Sequence, residues 1–168
     1  YKLASDKLGN KLTRALFQLP RKIRSYEYEG FSNARGIICI SATEAMEISH
    51  FSDKVLQLLP SFPEGEIYRT PSEKIRLGFI GPAKWPPNAR TIQKLVLSVL
   101  PNITRDFEFV LAGSGWETSG LDFPKNTRLL GFVKDTRDFW ENVDYLLAPT
   151  VQGAGVNVKI CEALHNGI

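Results

Sequence analysis

The sequence predicts an α/β protein built on a doubly wound parallel sheet, joined through a proline-rich connection to part of a second body. Three observations predict it. From residue 75 onward short apolar runs alternate with helical stretches at the spacing of βα units, which implies a parallel sheet covered on both faces. An earlier run, GIICI (36–40), is unbroken and β-branched, as in a buried strand. Between them PSFPEGEIYRTPSEK (60–74) holds three prolines and a glycine, the composition of an interdomain linker.

Residues 2 to about 28 mix charge with scattered leucines and read as one or two helices interrupted near Pro20. After the strand at 36–40, Ser41 offers a helix cap with Glu44 three residues on, and ATEAMEISHF continues as helix. KVLQLLP (54–60) is a strand ended by proline. IRLGFIG (75–81) is a strand, and PNARTIQKLVLSVLP (87–101) a helix with Pro87 suited to its first turn and Pro101 closing it. FEFVLAG (107–113) and NTRLLGFV (126–133) are strands, and DTRDFWENV (135–143) is a short helix. DYLLAPT (144–150) is the last strand, followed by a glycine turn and a helix to about Asn166. The chain stops at HNGI, with a further strand barely begun, so a fragment at both ends is expected.

Composition narrows the function classes. The 168 residues are enough for one well-buried domain or for one and part of another. Hydrophobic residues make up 43% and charged residues 23%, which reads as soluble and globular rather than disordered. The net charge is only +3, but Lys2, Lys7, Lys11, Arg14, Arg21, Lys22 and Arg24 fall in one run. Such a run suits an acidic surface partner, nucleic acid or anionic lipid met peripherally, or simply a solvated helix face. No apolar run has the length of a membrane span, and nothing has the pattern of a signal peptide. Cys39 and Cys161 sit in apolar surroundings as small core residues, which suggests a reducing, cytoplasmic compartment. His50 and His165 belong to no cluster with metal-ligand spacing, and no metal is expected.

The chemistry concentrates in QGAGVNVKICEALHNG (152–167). In an open parallel sheet ligands sit at the carboxyl ends of the strands, where this turn lies. Glycines let a ligand approach the backbone, and the first turn of a helix offers free amides and partial positive charge to a phosphate. Gly155, Lys159, Glu162 and Asn166 share one stripe at helical spacing, and Val156, Ile160 and Ala163 form a neighbouring apolar stripe that can face the sheet. Lys159 can then add a full charge to a bound phosphate, and Glu162 can accept hydrogen bonds from a ribose diol. The other reading is a plain turn and core helix with an exposed Lys159–Glu162 pair. The dinucleotide fingerprint lacks its third glycine here, and no glycine precedes Lys159 as a phosphate-binding loop of the Walker type requires.

The segment PTVQGAGVNVKICEALHNG resembles the signature helix of the donor-binding domain in GT-B-fold glycosyltransferases, especially glycosyltransferase family four. The order of the rest agrees. FIGPAKWPPNA resembles the first strand and loop of that domain, in the subgroup with a proline–asparagine pair, here Pro87 and Asn88. FVLAGSG resembles its second strand, and RLLGFVKD the segment beside the base. RSYEYEGFSNARGIICISATEA resembles the close of the acceptor domain. The resemblance implies two Rossmann-like domains: residues 1–59 the end of the acceptor domain, 60–74 the linker, and 75–168 an incomplete donor domain.

The resemblance also implies roles. Gly153, Ala154 and Gly155 put amides near the diphosphate of a nucleoside-diphosphate sugar, Lys159 neutralises it, and Glu162 holds the ribose. Lys159 and Glu162 are thereby the residues assigned to the reaction. Phe132 and Val133 lie against the base, plain strand core being their other reading. Gly81 and Lys84 sit in the loop after the first donor-domain strand. The sequence departs from the family in two places: Ala154 stands eight positions before Glu162, where an acid contacts the donor sugar, and Pro82 follows Gly81 in place of an arginine. The implied function is retaining transfer of the sugar to a glycan or lipid-linked acceptor, without metal or nucleic acid. The alternatives are a nucleotide-sugar-binding fragment inactive alone and a GT-B nucleotide-sugar epimerase.

Overall fold

The computed structural model describes residues 22–64, 67–149 and 156–168. The chain divides into two compact units, 1–59 and 60–168. Most of the basic run, Lys2 to Arg21, lies outside the described residues. Among those described, no helix is long and apolar enough to cross a membrane.

In the first unit helix α1 (22–33) leads to strand β1 (Ile37–Cys39), helix α2 (Ala42–Ser49) and strand β2 (Val55–Gln57). The two strands pair in parallel, Ile37 with Val55 and Cys39 with Gln57. Ser41 caps α2 as its sequence suggests, accepting from the Glu44 amide at 3.4 Å. The Tyr28 ring stacks on Phe51 at 3.9 Å, which fixes α1 against the end of α2. Cys39 is buried.

The second unit holds a four-stranded parallel sheet in the order β5-β4-β3-β6. Its strands are β3 (Ile75–Ile80), β4 (Phe107–Ala112), β5 (Thr127–Gly131) and β6 (Tyr145–Leu146). Helix α3 (Pro86–Lys94) follows β3, α4 (Arg137–Trp140) follows β5, and α5 (Val158–His165) follows β6. β4 shows why the sheet is covered on both faces. Phe109, Val110, Leu111 and Ala112 are all fully buried. By strand alternation Phe109 and Leu111 join one core with Ile92, Leu95 and Trp116 of α3 and beyond. Val110 and Ala112 join another with Phe139, Trp140, Val143 and Ala163. A side chain on Gly78 would come within 2.5 Å of Val143, so a glycine there lets α4 and its following turn lie directly on β3.

Two expectations about helices need correction. The helix expected over 87–101 starts at Pro86 and does not stay α-helical: a π-turn (Leu95–Val99) and a 3₁₀ turn (Leu100–Asn102) complete it, with Pro101 inside the last turn. The apolar stripe of α5 is also turned from its expected place. Ala163 is buried, but Ile160 is 41% exposed. The helix docks through its small alanine, and that puts Lys159 and Glu162, both half-buried, on its inner side.

The stretch expected as a linker has no helix or strand among its described residues, and it runs along the second unit. Ile67 packs on the second core, and the Thr70 amide donates to the Glu141 carbonyl at 3.1 Å. Further along the same strap, the His165 ring meets Phe62 with its Nε2 3.2 Å from the Pro63 carbonyl oxygen. The Arg69 guanidinium donates to the Gly167 carbonyl.

Candidate active site

The carboxyl ends of β3, β4 and β5 are joined by short backbone contacts that leave little room. The Gly81 amide donates to the Ala112 carbonyl at 2.9 Å, and the Gly113 amide to Gly131 at 2.7 Å. A Cβ on Gly113 would lie 2.1 Å from the Gly81 carbonyl oxygen, and its φ of 124° is one that glycine tolerates. The Trp116 indole fixes the same carbonyl, donating to it at 2.8 Å from a buried position. This floor holds the loop that follows β3.

Above it Lys159 reaches back from α5. Its Nζ donates to Asn88 Oδ1 at 3.0 Å and lies 4.4 Å from the centre of the Phe79 ring. Asn88 is itself buried, and its amide nitrogen donates to the Pro82 carbonyl at 3.0 Å. The amide therefore ties the ammonium to the β3–α3 loop. Gly81 makes the approach possible, since a Cβ there would stand 2.6 Å from Asn88 Nδ2 and 2.9 Å from Lys159 Nζ. Among the described residues no carboxylate pairs with Lys159. Burial holds its pKa below the ordinary lysine value. The ammonium faces a cleft of about 320 Å³ whose lining includes Phe79, Trp85, Asn88, Pro149 and Asn157.

Asn157 caps α5: its Oδ1 accepts from the Lys159 amide at 3.2 Å. The helix thus opens at Val158, and Lys159 stands in its first turn. On the other flank, the Glu162 carboxylate accepts from the Thr136 hydroxyl at 2.5 Å, which draws the β5–α4 loop to the same helix. Val133, from that loop, packs into the second core, and Phe132 beside it is 77% exposed.

The expected site residues therefore fall in three places. Gly81, Lys159 and the unanticipated Asn88 meet at one cleft; Glu162 joins the loop that carries Phe132 and Val133. Lys84 lines a different cleft, with Gln93, Gly115 and Thr118. Gly153, Ala154 and Gly155 lie outside the described residues. Asn88 had a faint signal, a proline–asparagine pair opening a helix. Thr136 had none.

The sequence profile of the family described as glycosyl transferases group 1 matches residues 74–168. The chain belongs to this family. As a group 1 glycosyl transferase chain it brings Gly81, Asn88 and Lys159 together at the carboxyl edge of a parallel sheet. Among solved structures it resembles TarM, with a TM-score of 0.62 and 14% identity over 86% of this chain and 30% of that one. It also resembles a point mutant of S. aureus TarM in complex with fondaparinux, alpha-GlcNAc-glycerol and UDP, with a TM-score of 0.60 and 16% identity over 86% of this chain and 31% of that one. These likenesses show a fold of the GT-B type. The chain spans about a third of the length of those structures. No curated protein matches the sequence.

Proposed function

We propose that this chain supplies the donor-binding part of a glycosyltransferase that moves a sugar from a nucleoside diphosphate to a glycan or lipid-linked acceptor with retention of configuration. The observation that carries the reading is Lys159: a half-buried ammonium, held by a neutral amide, facing a cleft with no carboxylate among the described residues to satisfy it. A cation kept in that state costs stability and is useful to an anion. Breaking the anomeric bond leaves negative charge on the diphosphate. Lys159, fixed in advance in a partly dry setting, stabilises that charge more in the transition state than in the ground state. Glu162 holds the ribose, and Phe132 and Val133 flank the base. The leaving group is met by Lys159 and the amides of the glycine turn, without a metal. The UDP bound to the TarM mutant makes UDP the first nucleotide to test.

Calorimetric titration of Lys159→Ala decides the central claim. Binding of the nucleoside diphosphate should weaken by about 1.5–3 kcal/mol, the worth of a charge-assisted hydrogen bond, while binding of the nucleoside is nearly unchanged. Equal losses for the two would remove the phosphate role.

A further inference from the structure

Thr136 stands directly before α4, at the position where a threonine ordinarily caps a helix with its side-chain oxygen. It does not do so here. Its backbone is already helical (φ −65°, ψ −19°), and its side chain makes no cap. Asp135 has taken over that task, with Oδ1 accepting from the Arg137 amide at 3.0 Å. The Arg137 guanidinium in turn grips the other oxygen of Asp135 at 2.6 Å. The threonine hydroxyl is left free of α4. It donates instead to Glu162 Oε1, 26 residues on, at 2.5 Å. The hydroxyl is the donor and the carboxylate oxygen the acceptor. Among the described residues the other oxygen, Oε2, has no hydrogen-bond partner.

We infer that Thr136 is a positioning residue for the nucleotide site, a role that rests on the ribose reading of Glu162 proposed above. A glutamate has three rotatable bonds, and ordering them when a ligand arrives weakens binding. Thr136 orders them beforehand. Its own χ1 is stiff because the side chain is β-branched, so the hydroxyl is a well-placed anchor. Oε1 keeps one acceptor site and Oε2 keeps both, which leaves enough for the two hydroxyls of a ribose. The contact also ties the β5–α4 loop, which carries Phe132 and Val133, to the helix that carries Lys159. The ligand class that benefits is a ribonucleoside diphosphate, in preference to one lacking the diol.

The test is calorimetric titration of the 168-residue chain with UDP, GDP and ADP, then with the 2′,3′-dideoxy form of whichever binds most tightly. Thr136→Val should weaken the ribonucleotide about 3- to 10-fold and leave the dideoxy form within about twofold. Thr136→Ser, which keeps the hydroxyl, should restore most of the parent affinity. Thr136→Ala, which puts no extra methyl beside the carboxylate, serves as a second variant if valine disturbs the loop, and should behave like it. In a Glu162→Ala background Thr136→Val should add nothing, because the hydroxyl acts through the carboxylate. Valine and alanine variants that bind the ribonucleotide as the parent does, or lose both nucleotides alike, overturn the positioning role. The ribose reading of Glu162 still stands in that case if Glu162→Ala loses the preference for the diol. A parent that binds none of the three nucleotides, or does not prefer the ribose form, overturns the reading of Glu162 and the role of Thr136 with it.

Discussion

Lys159 carries its charge in surroundings that work against it, and the consequence can be measured against pH. Burial lowers its pKa, so within the folded chain it gives up its proton earlier than an exposed lysine does. On the proposed reading the ammonium attracts a diphosphate below that folded-state pKa; as the pH rises through it, the charge and its share of the affinity are lost. UDP affinity should therefore fall on the alkaline side sooner than an ordinary lysine would allow, and Lys159→Ala should abolish that part of the profile. Stability without nucleotide runs the other way. Between the folded and unfolded pKa values the unfolded chain binds more protons, so the folded state gains stability as the pH rises. Affinity and stability moving in the same direction across this window would contradict the assignment.

At the scale of elements, β3 and β6 are fastened at their amino ends by one ion pair. Arg76 is buried, and its Nη2 lies 2.8 Å from Asp144 Oδ1, with the Arg76 amide donating to Asp144 Oδ2 at 2.8 Å. The Arg76 side chain holds the Asp144 carboxyl below the usual carboxylate range. Asp144→Asn should cost about 3 kcal/mol, the low end for a broken buried pair, because the Asp144 side chain keeps 27% exposure. The stabilisation is present above the unfolded carboxyl pKa of about 3.9 and is lost as pH falls through the lower folded value. Thermal melts from about pH 6 to about pH 2 should show a parent that loses stability in acid and a variant with a flatter curve. A variant as acid-sensitive as the parent would show that the pair does not set the dependence. The strands themselves were legible in the sequence, because IRLGFIG and FEFVLAG are unbroken apolar runs, and burial on both faces leaves that trace. The rotation of α5 was not legible: Val156, Ile160 and Ala163 share a stripe, yet only packing volume decides that Ala163 docks. Nor were the two contacts that order the site. Lys159 meets Asn88 across 71 residues and Glu162 meets Thr136 across 26, and single polar pairs at such separations have no period to read.

For the molecule as a whole, the division into 1–59 and 60–168 makes a prediction about where the chain is open to attack. Leu58 and Leu59 are 46% and 75% exposed, whereas Phe62, Pro63, Ile67 and Thr70 have contacts in the second unit. Brief digestion with a protease that cuts after leucine should release a fragment beginning at or near Pro60. Mass spectrometry identifies it, and first cuts within α3 would undo the division. The strap formed by residues 62–64 and 67–70 has one more consequence, for the order of assembly. It grips the far end of α5 through contacts that span 102 residues from Pro63 to His165 and 98 from Arg69 to Gly167. Such loops are closed at an entropic cost that nearer pairings avoid, and long-range contacts form late. During synthesis the four strands can pair before the ribosome has released the last turns of α5. The helix that carries Lys159 and Glu162 is thus clasped only after the sheet it lies on has formed.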